Sequence, residues 1–334
     1  MNDSRNEAAS IVERIRTVEA GGPVVGLHFL GRTAVFVLGE EELVLAAADG
    51  AHRRVPVHGG GILTSTADAK RVVTGGDDGK VVATKATGES ETIATDAKRR
   101  WIDRVTLAAD GTVAWSAGKS AFVRTSKGQE RTVEVPSSVG GLAFAPKGLR
   151  LGIAHYNGVT LWFPNAQAKP EMLEWKGSHL GVTFSPDGKF LVTSMQEPML
   201  HGWRLVDGKH MRMSGYSARV LSLGWTADGK ELATSGSEQL ILWPFTGKDG
   251  PMGKQPRMFA PHEARVTAVA CHPRQDVTAT GYADGMVLLV RLSDAAEIIA
   301  RRPGDGEVSA LAWDASGGML AFGTEDGEAG LVAL

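Results

Sequence analysis

The chain has 334 residues, 43% of them hydrophobic and 22% charged, and a net charge of −2. That near-neutral balance supplies no bulk field to draw nucleic acid or an anionic membrane surface, so neither is expected as a partner. Cys271 is the only cysteine, which excludes an internal disulfide and suits a reducing compartment, so the expected location is the cytoplasm.

Residues 1–20 carry charges throughout and lack the apolar core of a signal peptide, and no later stretch approaches the length of a membrane span. A flexible tail is expected over residues 1–10, with one domain filling 11–334. A single domain of that size is reasonable only if the core is built from repeats, because each repeat packs on its neighbours alone. The 42 glycines, about twice ordinary usage, point the same way: many tight turns and many short strands.

One pattern recurs along the chain. A large residue closes an apolar stretch, an Asp-Gly-type turn follows, and a small residue stands ten positions on. It is clearest in FSPDGKFLVTS (184–194), WTADGKELATS (225–235) and CHPRQDVTATG (271–281). The large position falls at Phe29, Ser65, Leu107, Phe144, Phe184, Trp225, Cys271 and Trp313, a spacing of about 41 residues that suits propeller blades. Ser65 and Leu107 are the weakest of the eight.

Each unit reads as four strands. The first, as in GGLAFA (140–145), is apolar on both faces, as a strand buried between sheets must be. Dipeptides such as Asp110-Gly111, Asn157-Gly158 and Asp284-Gly285 supply the positive φ of tight hairpins. The fourth strand is more polar, as in KGQERTVEV (127–135), and suits a solvent-facing rim. Helical periodicity is confined to a turn near residues 5–16. The last unit stops after its third strand, and VERIRTVE (12–19) can supply the fourth, which would close a ring and remove the open edge of a linear array.

The units resemble WD40 repeats from about residue 11 onward. Third strands ending in LWF (161–163), GWR (202–204) and LWP (242–244) place Trp162, Trp203 and Trp243 at that family's tryptophan position, without the aspartate that follows it in the name-giving dipeptide. His262 stands where the family has its histidine, with Pro261 in place of glycine, and Asp78, Asp284 and Asp326 match the turn aspartate. The expected fold is therefore an all-β WD40-type propeller of eight four-stranded blades closed by an N-terminal strand. Seven blades is the alternative, and would mean that residues 60–118 are miscounted.

Catalytic and metal motifs fail on inspection. GKDGPMGKQP (247–256) lacks the first glycine and the Ser/Thr of a phosphate loop. His262-Glu263 has Val266 where a zinc protease needs its second histidine. Cys271 and His272 are adjacent on a strand, so their side chains point to opposite faces. No catalytic residue, metal ligand or cofactor is expected.

The aromatic and arginine distribution is more informative. Arg100, Trp101, Arg104, Tyr156, Trp175, Tyr216, Arg219, Phe259, Arg265 and Tyr282 fall in second-to-third-strand turns or in connections leading to a new first strand. Both loop classes open on one face of a propeller. Trp, Tyr and Arg dominate binding hot spots because they join large area to a polar end. Met195, Met199 and Met258 extend an arc of that face. The plain alternative is that such aromatics plug gaps between blades. The expected function is a non-enzymatic scaffold, a monomer or a subunit of a hetero-complex, holding a peptide or partner protein on those loops. The competing expectation is a lactonase-like enzyme or small-ligand and metal binder at the central channel.

Overall fold

The structure, a computed structural model, describes residues 9–334. Local turn chemistry sets the strands. At Asp187-Gly188 the carboxylate accepts the Lys189 amide at 3.0 Å and Gly188 adopts φ 75°, a conformation that strains any residue with a β carbon. Asp228-Gly229 repeats the arrangement, with the Lys230 amide at 3.0 Å and φ 68°.

Seven sheets result. Sheet 1 comprises Val24–Leu30, Thr33–Leu38, Glu42–Ala46 and His52–Pro56. Sheet 2 comprises Ile62–Ala67, Arg71–Gly76, Lys80–Lys85 and Ser90–Thr95. Sheet 3 comprises Arg104–Leu107, Val113–Ala117, Ser120–Arg124 and Glu130–Glu134. Sheet 4 has six strands: Gly141–Phe144, Leu151–Trp162, Glu171–Phe184, Phe190–Met195, Leu200–Arg204 and His210–Met213. Sheet 5 comprises Leu223–Trp225, Glu231–Thr234, Leu240–Pro244 and Arg257–Phe259. Sheet 6 comprises Val266–Cys271, Val277–Tyr282, Val287–Arg291 and Glu297–Arg301. Sheet 7 comprises Val308–Trp313, Met319–Thr324 and Glu328–Ala333.

Counted by hydrogen-bonded sheets, the blades number seven and not the eight expected from the repeat. Nor does the count change at residues 60–118, which belong to the separate four-stranded sheets 2 and 3. It changes at sheet 4. There Glu171–Phe184 runs from the outer strand of one repeat into the inner strand of the next without leaving the ladder, with Ser178 opposite Tyr156 and His179 opposite Met195. Leu151–Trp162 doubles back at Asn157-Gly158, where both φ angles are positive. His155 Nε2 therefore reaches Thr160 Oγ1 at 2.9 Å, although five extended residues would span about 16 Å. Sheet 4 thus carries two sequence repeats joined through one shared strand.

The ends meet as an N-terminal closure requires. Ile15–Glu19 pairs antiparallel with Glu328–Ala333 and completes sheet 7. A 3₁₀ turn, Val12–Arg14, precedes it. Of the tail expected over 1–10, residues 1–8 lie outside the described residues, while Ala9–Ser10 pairs parallel with Ile298 and Ile299 at the outer edge of sheet 6.

The core lies between sheets. One cluster joins sheets 7 and 1 through Val18, Leu27, Phe36 and Leu331, and another joins sheets 5 and 6 through Leu242, Val266, Tyr282 and Leu288. Burial is heaviest on the second strands. Every residue of Val113–Ala117 and of Phe190–Met195 is buried, whereas Leu223–Trp225 on an inner strand is only half-buried. The sequence places the heaviest burial on the first strand. Its free edge, however, borders the central channel, while second strands are paired on both edges and covered on both faces. Close packing also fixes small residues there: a β carbon on Gly281 would stand 2.4 Å from Val308, and one on Gly323 would stand 2.5 Å from Val24.

Candidate interaction surface

In a four-stranded antiparallel meander, the second-to-third-strand turn and the exit from the fourth strand lie at the same end. These loops therefore share one face of the disc. The structure sorts the ten sequence-predicted residues on that face into three groups.

Trp101 and Tyr156 are the most exposed aromatic side chains, at 61% and 57%. Tyr156 shares a groove of about 630 Å³ with Trp175, Pro136 and Met172. Arg219 is exposed and donates to the Gln196 side chain at 3.2 Å. Arg265 pairs with Glu307 at 3.5 Å while remaining 40% exposed. These side chains reach the surface of that face, Trp175 only in part.

Three more are partly committed to the framework. Arg100 is bound to Asp96 at 2.7 Å, an ion pair that holds the aspartate below its ordinary pKa, and its guanidinium lies 5.8 Å from the Phe122 ring. Arg104 Nε donates to the Gly140 carbonyl at 2.6 Å. Phe259 sits at the outer rim, opposite Leu240 and under the Arg257 guanidinium.

Tyr216 and Tyr282 are corrections. Both are buried, so neither presents its side chain to the face. Trp243 Nε1 donates to the Tyr216 oxygen at 2.7 Å; that hydroxyl contacts Thr234 Oγ1 at 2.9 Å, and Thr234 donates to the Ile241 carbonyl. Burial pushes the Tyr216 phenol up to about 12. Tyr282 donates to the Ala260 carbonyl at 2.8 Å and stacks edge-on against His262. Met195 is buried as well, leaving Met199 half-buried and Met258 exposed on the rim.

Tyr282→Ala is expected to cost about 3–5 kcal/mol of stability, and Tyr216→Phe about 1–3 kcal/mol because the Trp243 donor loses its acceptor. Urea unfolding of the purified variants measures both. Losses near zero would return these tyrosines to the surface set.

Sequence reasoning missed three features. His58 bridges Asp78 at 3.0 Å and Thr74 at 2.8 Å, tying a connection of sheet 2 to its strands. Val25, Leu63 and Leu221, exposed by 39–59%, are apolar residues at the outset of inner strands. The third is an uneven distribution of charge. Glu40, Glu41, Glu238, Glu263, Glu325 and Asp326 are exposed on loops of sheets 5, 6, 7 and 1. Lys98, Arg99, Lys119, Lys176 and Arg219 are exposed on the opposite arc, from the exit of sheet 2 to the exit of sheet 4. Exposed Glu134, Glu174 and Glu197 lie among these cations and exposed Arg302 among the acids, so the field is mixed, as the loop composition suggests, with an excess of acid around sheets 5, 6, 7 and 1.

Between the acidic loops lies a cleft of about 520 Å³ that draws residues from sheets 1, 6 and 7 and from the connection into sheet 5, including Val25, Leu221, Thr267, Glu307 and Glu325. Burial and the neighbouring Glu325 charge raise the Glu307 pKa. Among the described residues no group of three or more His, Cys, Asp or Glu is placed to hold a metal ion, and no helix is long and apolar enough to cross a membrane.

Comparisons with known proteins bear on the same architecture. A family model described as the WD40 domain of anaphase-promoting complex subunit 4 matches residues 269–334. WD repeat-containing protein 1-B of Xenopus laevis is 29% identical over 77 residues, which is 22% of this chain and 13% of that protein's length. The alignment thus spans a small part of that relative. Over the whole fold the chain is similar to the computationally designed Ika8 protein, with a TM-score of 0.78 at 17% identity, covering 95% of this chain and 98% of the other. At that identity the likeness is one of fold.

Proposed function

We propose that this chain, a WD40-repeat β-propeller, is a non-catalytic interaction module that receives a peptide or a partner domain on its loop face. The observation that carries the reading is the exposure of Trp101 and Tyr156 on a framework whose other large aromatics are mostly packed away. An exposed tryptophan and tyrosine on rigid loops provide contact area at little cost in conformational entropy. Trp175 supports the pair, since its indole stacks on His201 at 4.2 Å and is fixed before a partner arrives. Family membership supports the same reading, because propellers of this kind serve generally as interaction scaffolds. A reducing, cytoplasmic setting belongs to the proposal too, supported by a lone Cys271 whose thiol is pushed up to about 11 by burial.

The test is a triple variant, Trp101→Ala, Tyr156→Ala and Arg219→Ala, compared with the parent protein in affinity capture from its own cells. Capture of the parent's partners is expected to fall at least tenfold. The melting temperature is expected to move by no more than about 2 °C, since exposed substitutions usually fall within about 0.5 kcal/mol. Undiminished capture would overturn the assignment to this face.

A further inference from the structure

The channel-mouth cleft narrows the choice of partner. Its floor is apolar, with Val24 and Val308 fully buried, and two aliphatic side chains, Val25 and Leu221, stand exposed at 52% and 59%. Two carboxylates face the same space. Glu307 is three-quarters buried and has one cation near it, Arg265 at 3.5 Å. Glu325, on the adjoining turn, is exposed and forms no ion pair among the described residues. The cleft therefore holds one more negative charge than its own cation balances. The loops around it carry Glu40, Glu41, Glu263 and Asp326 of the same sign, more than the exposed Arg219 and Arg302, nearby in the chain, offset.

We propose that this cleft receives a lysine or arginine side chain of a partner peptide, with an aliphatic residue next to it in the peptide resting on Val25 and Leu221. The proposal deepens the reading of the loop face as a binding surface and rests on it. A cation answers the unbalanced carboxylate, and partial burial protects that attraction from the screening that weakens exposed pairs. Arginine fits best, because its planar fork can engage both carboxylates while its stem lies along apolar surface. An acidic or neutral segment would leave Glu325 unpaired and add like charge to the surrounding arc. The surrounding acidic loops also favour encounter with a basic segment over an acidic one.

The test is selection of a random peptide library displayed on phage against the full chain, followed by fluorescence anisotropy of the enriched peptides. Enriched peptides are expected to carry Lys or Arg next to Leu, Ile, Val or Met. Their affinity is expected to fall at least tenfold for the doubly substituted Glu307→Gln, Glu325→Gln protein and for Leu221→Ser, and to weaken as salt rises. Circular dichroism melting of each variant verifies that the disc is intact. Enriched peptides without a cation, or peptides that bind the Gln variant equally well, overturn the cleft assignment. If those peptides are lost with Trp101→Ala or Tyr156→Ala, the loop face stands and only the cleft falls. If they respond to none of these changes, both fall. A library that yields no binder also overturns the cleft.

Discussion

Removal of residues 1–19 is expected to lower the melting temperature by about 10 °C or more and to make the protein aggregate in proportion to its concentration. The deletion takes away Ile15–Glu19, five residues laddered to Glu328–Ala333. It also takes Val18, which is buried against Leu27, Phe36 and Leu331. Burying a side chain of that size contributes about 1.5–3 kcal/mol, and each net hydrogen bond about 1 kcal/mol. The sum is several kcal/mol, a large part of the 5–15 kcal/mol that holds an ordinary domain together. What remains at Glu328–Ala333 is an unpaired apolar edge, a template for pairing with another chain. Differential scanning calorimetry and light scattering read the two effects, with removal of residues 1–8 alone as the control. A truncated protein that melts with the parent would mean that closure does not hold the ring.

Acidification should be the other large perturbation. His201 is fully buried, and neither ring nitrogen has a hydrogen-bond partner. Its ring lies between Trp175, His210 and Trp203, with His179 edge-on. Burial first, then the nearby positive charges of His179, His210 and Arg212, push its pKa down to about 3. The unfolded chain takes up that proton near pH 6.5, while the folded protein resists it until about pH 3. Stability from this group is therefore complete above pH 6.5 and falls as pH drops through the interval, by about 2–3 kcal/mol at pH 4.5. His28, His155 and His179 act in the same direction, since burial lowers each. His201→Phe keeps an aromatic ring and removes the proton site. That variant is expected to match or exceed the parent at pH 7 and to lose about 2 kcal/mol less between pH 7 and pH 4.5 in urea unfolding. An unchanged pH slope would show that His201 already gains its proton in the folded state.

Turns, inner strands and closure were legible in the sequence because each depends on chemistry spread over a few residues. Asp187-Gly188 dictates a tight turn wherever it stands, and the residues at the eight large positions, from Phe29 to Trp313, all lie on inner strands. The sheet count was not legible. Whether a connection breaks a ladder or continues it depends on the path of Lys176–Leu180 across space, and no composition cue distinguishes that segment from other connections. The candidate site was half legible. Trp101 and Tyr156 present their rings outward as the loops suggest. Tyr216 and Tyr282 occupy similar chain positions but turn inward, and the deciding partners, Thr234, Trp243 and Ala260, stand 18 to 27 residues away. The excess of acid around sheets 5, 6, 7 and 1 was present in the letters, but it emerges only once each loop has a place on the ring.

The shared strand of sheet 4 has a mechanical consequence. Neighbouring sheets elsewhere in the disc meet mainly through side chains, with a few backbone hydrogen bonds at the loop face, such as Gly236 to Val266 between sheets 5 and 6. Across Lys176–Leu180 one paired strand spans the joint, so tilting one half against the other would strain the interstrand pairing at Ser178 and His179. Residues 141–213 are thus the sector whose inner joint is held by strand pairing, while the other seams rest mostly on side chains. A guest wedged in the cleft, where sheets 6, 7 and 1 converge, would press on seams packed mostly by side chains rather than on the shared strand.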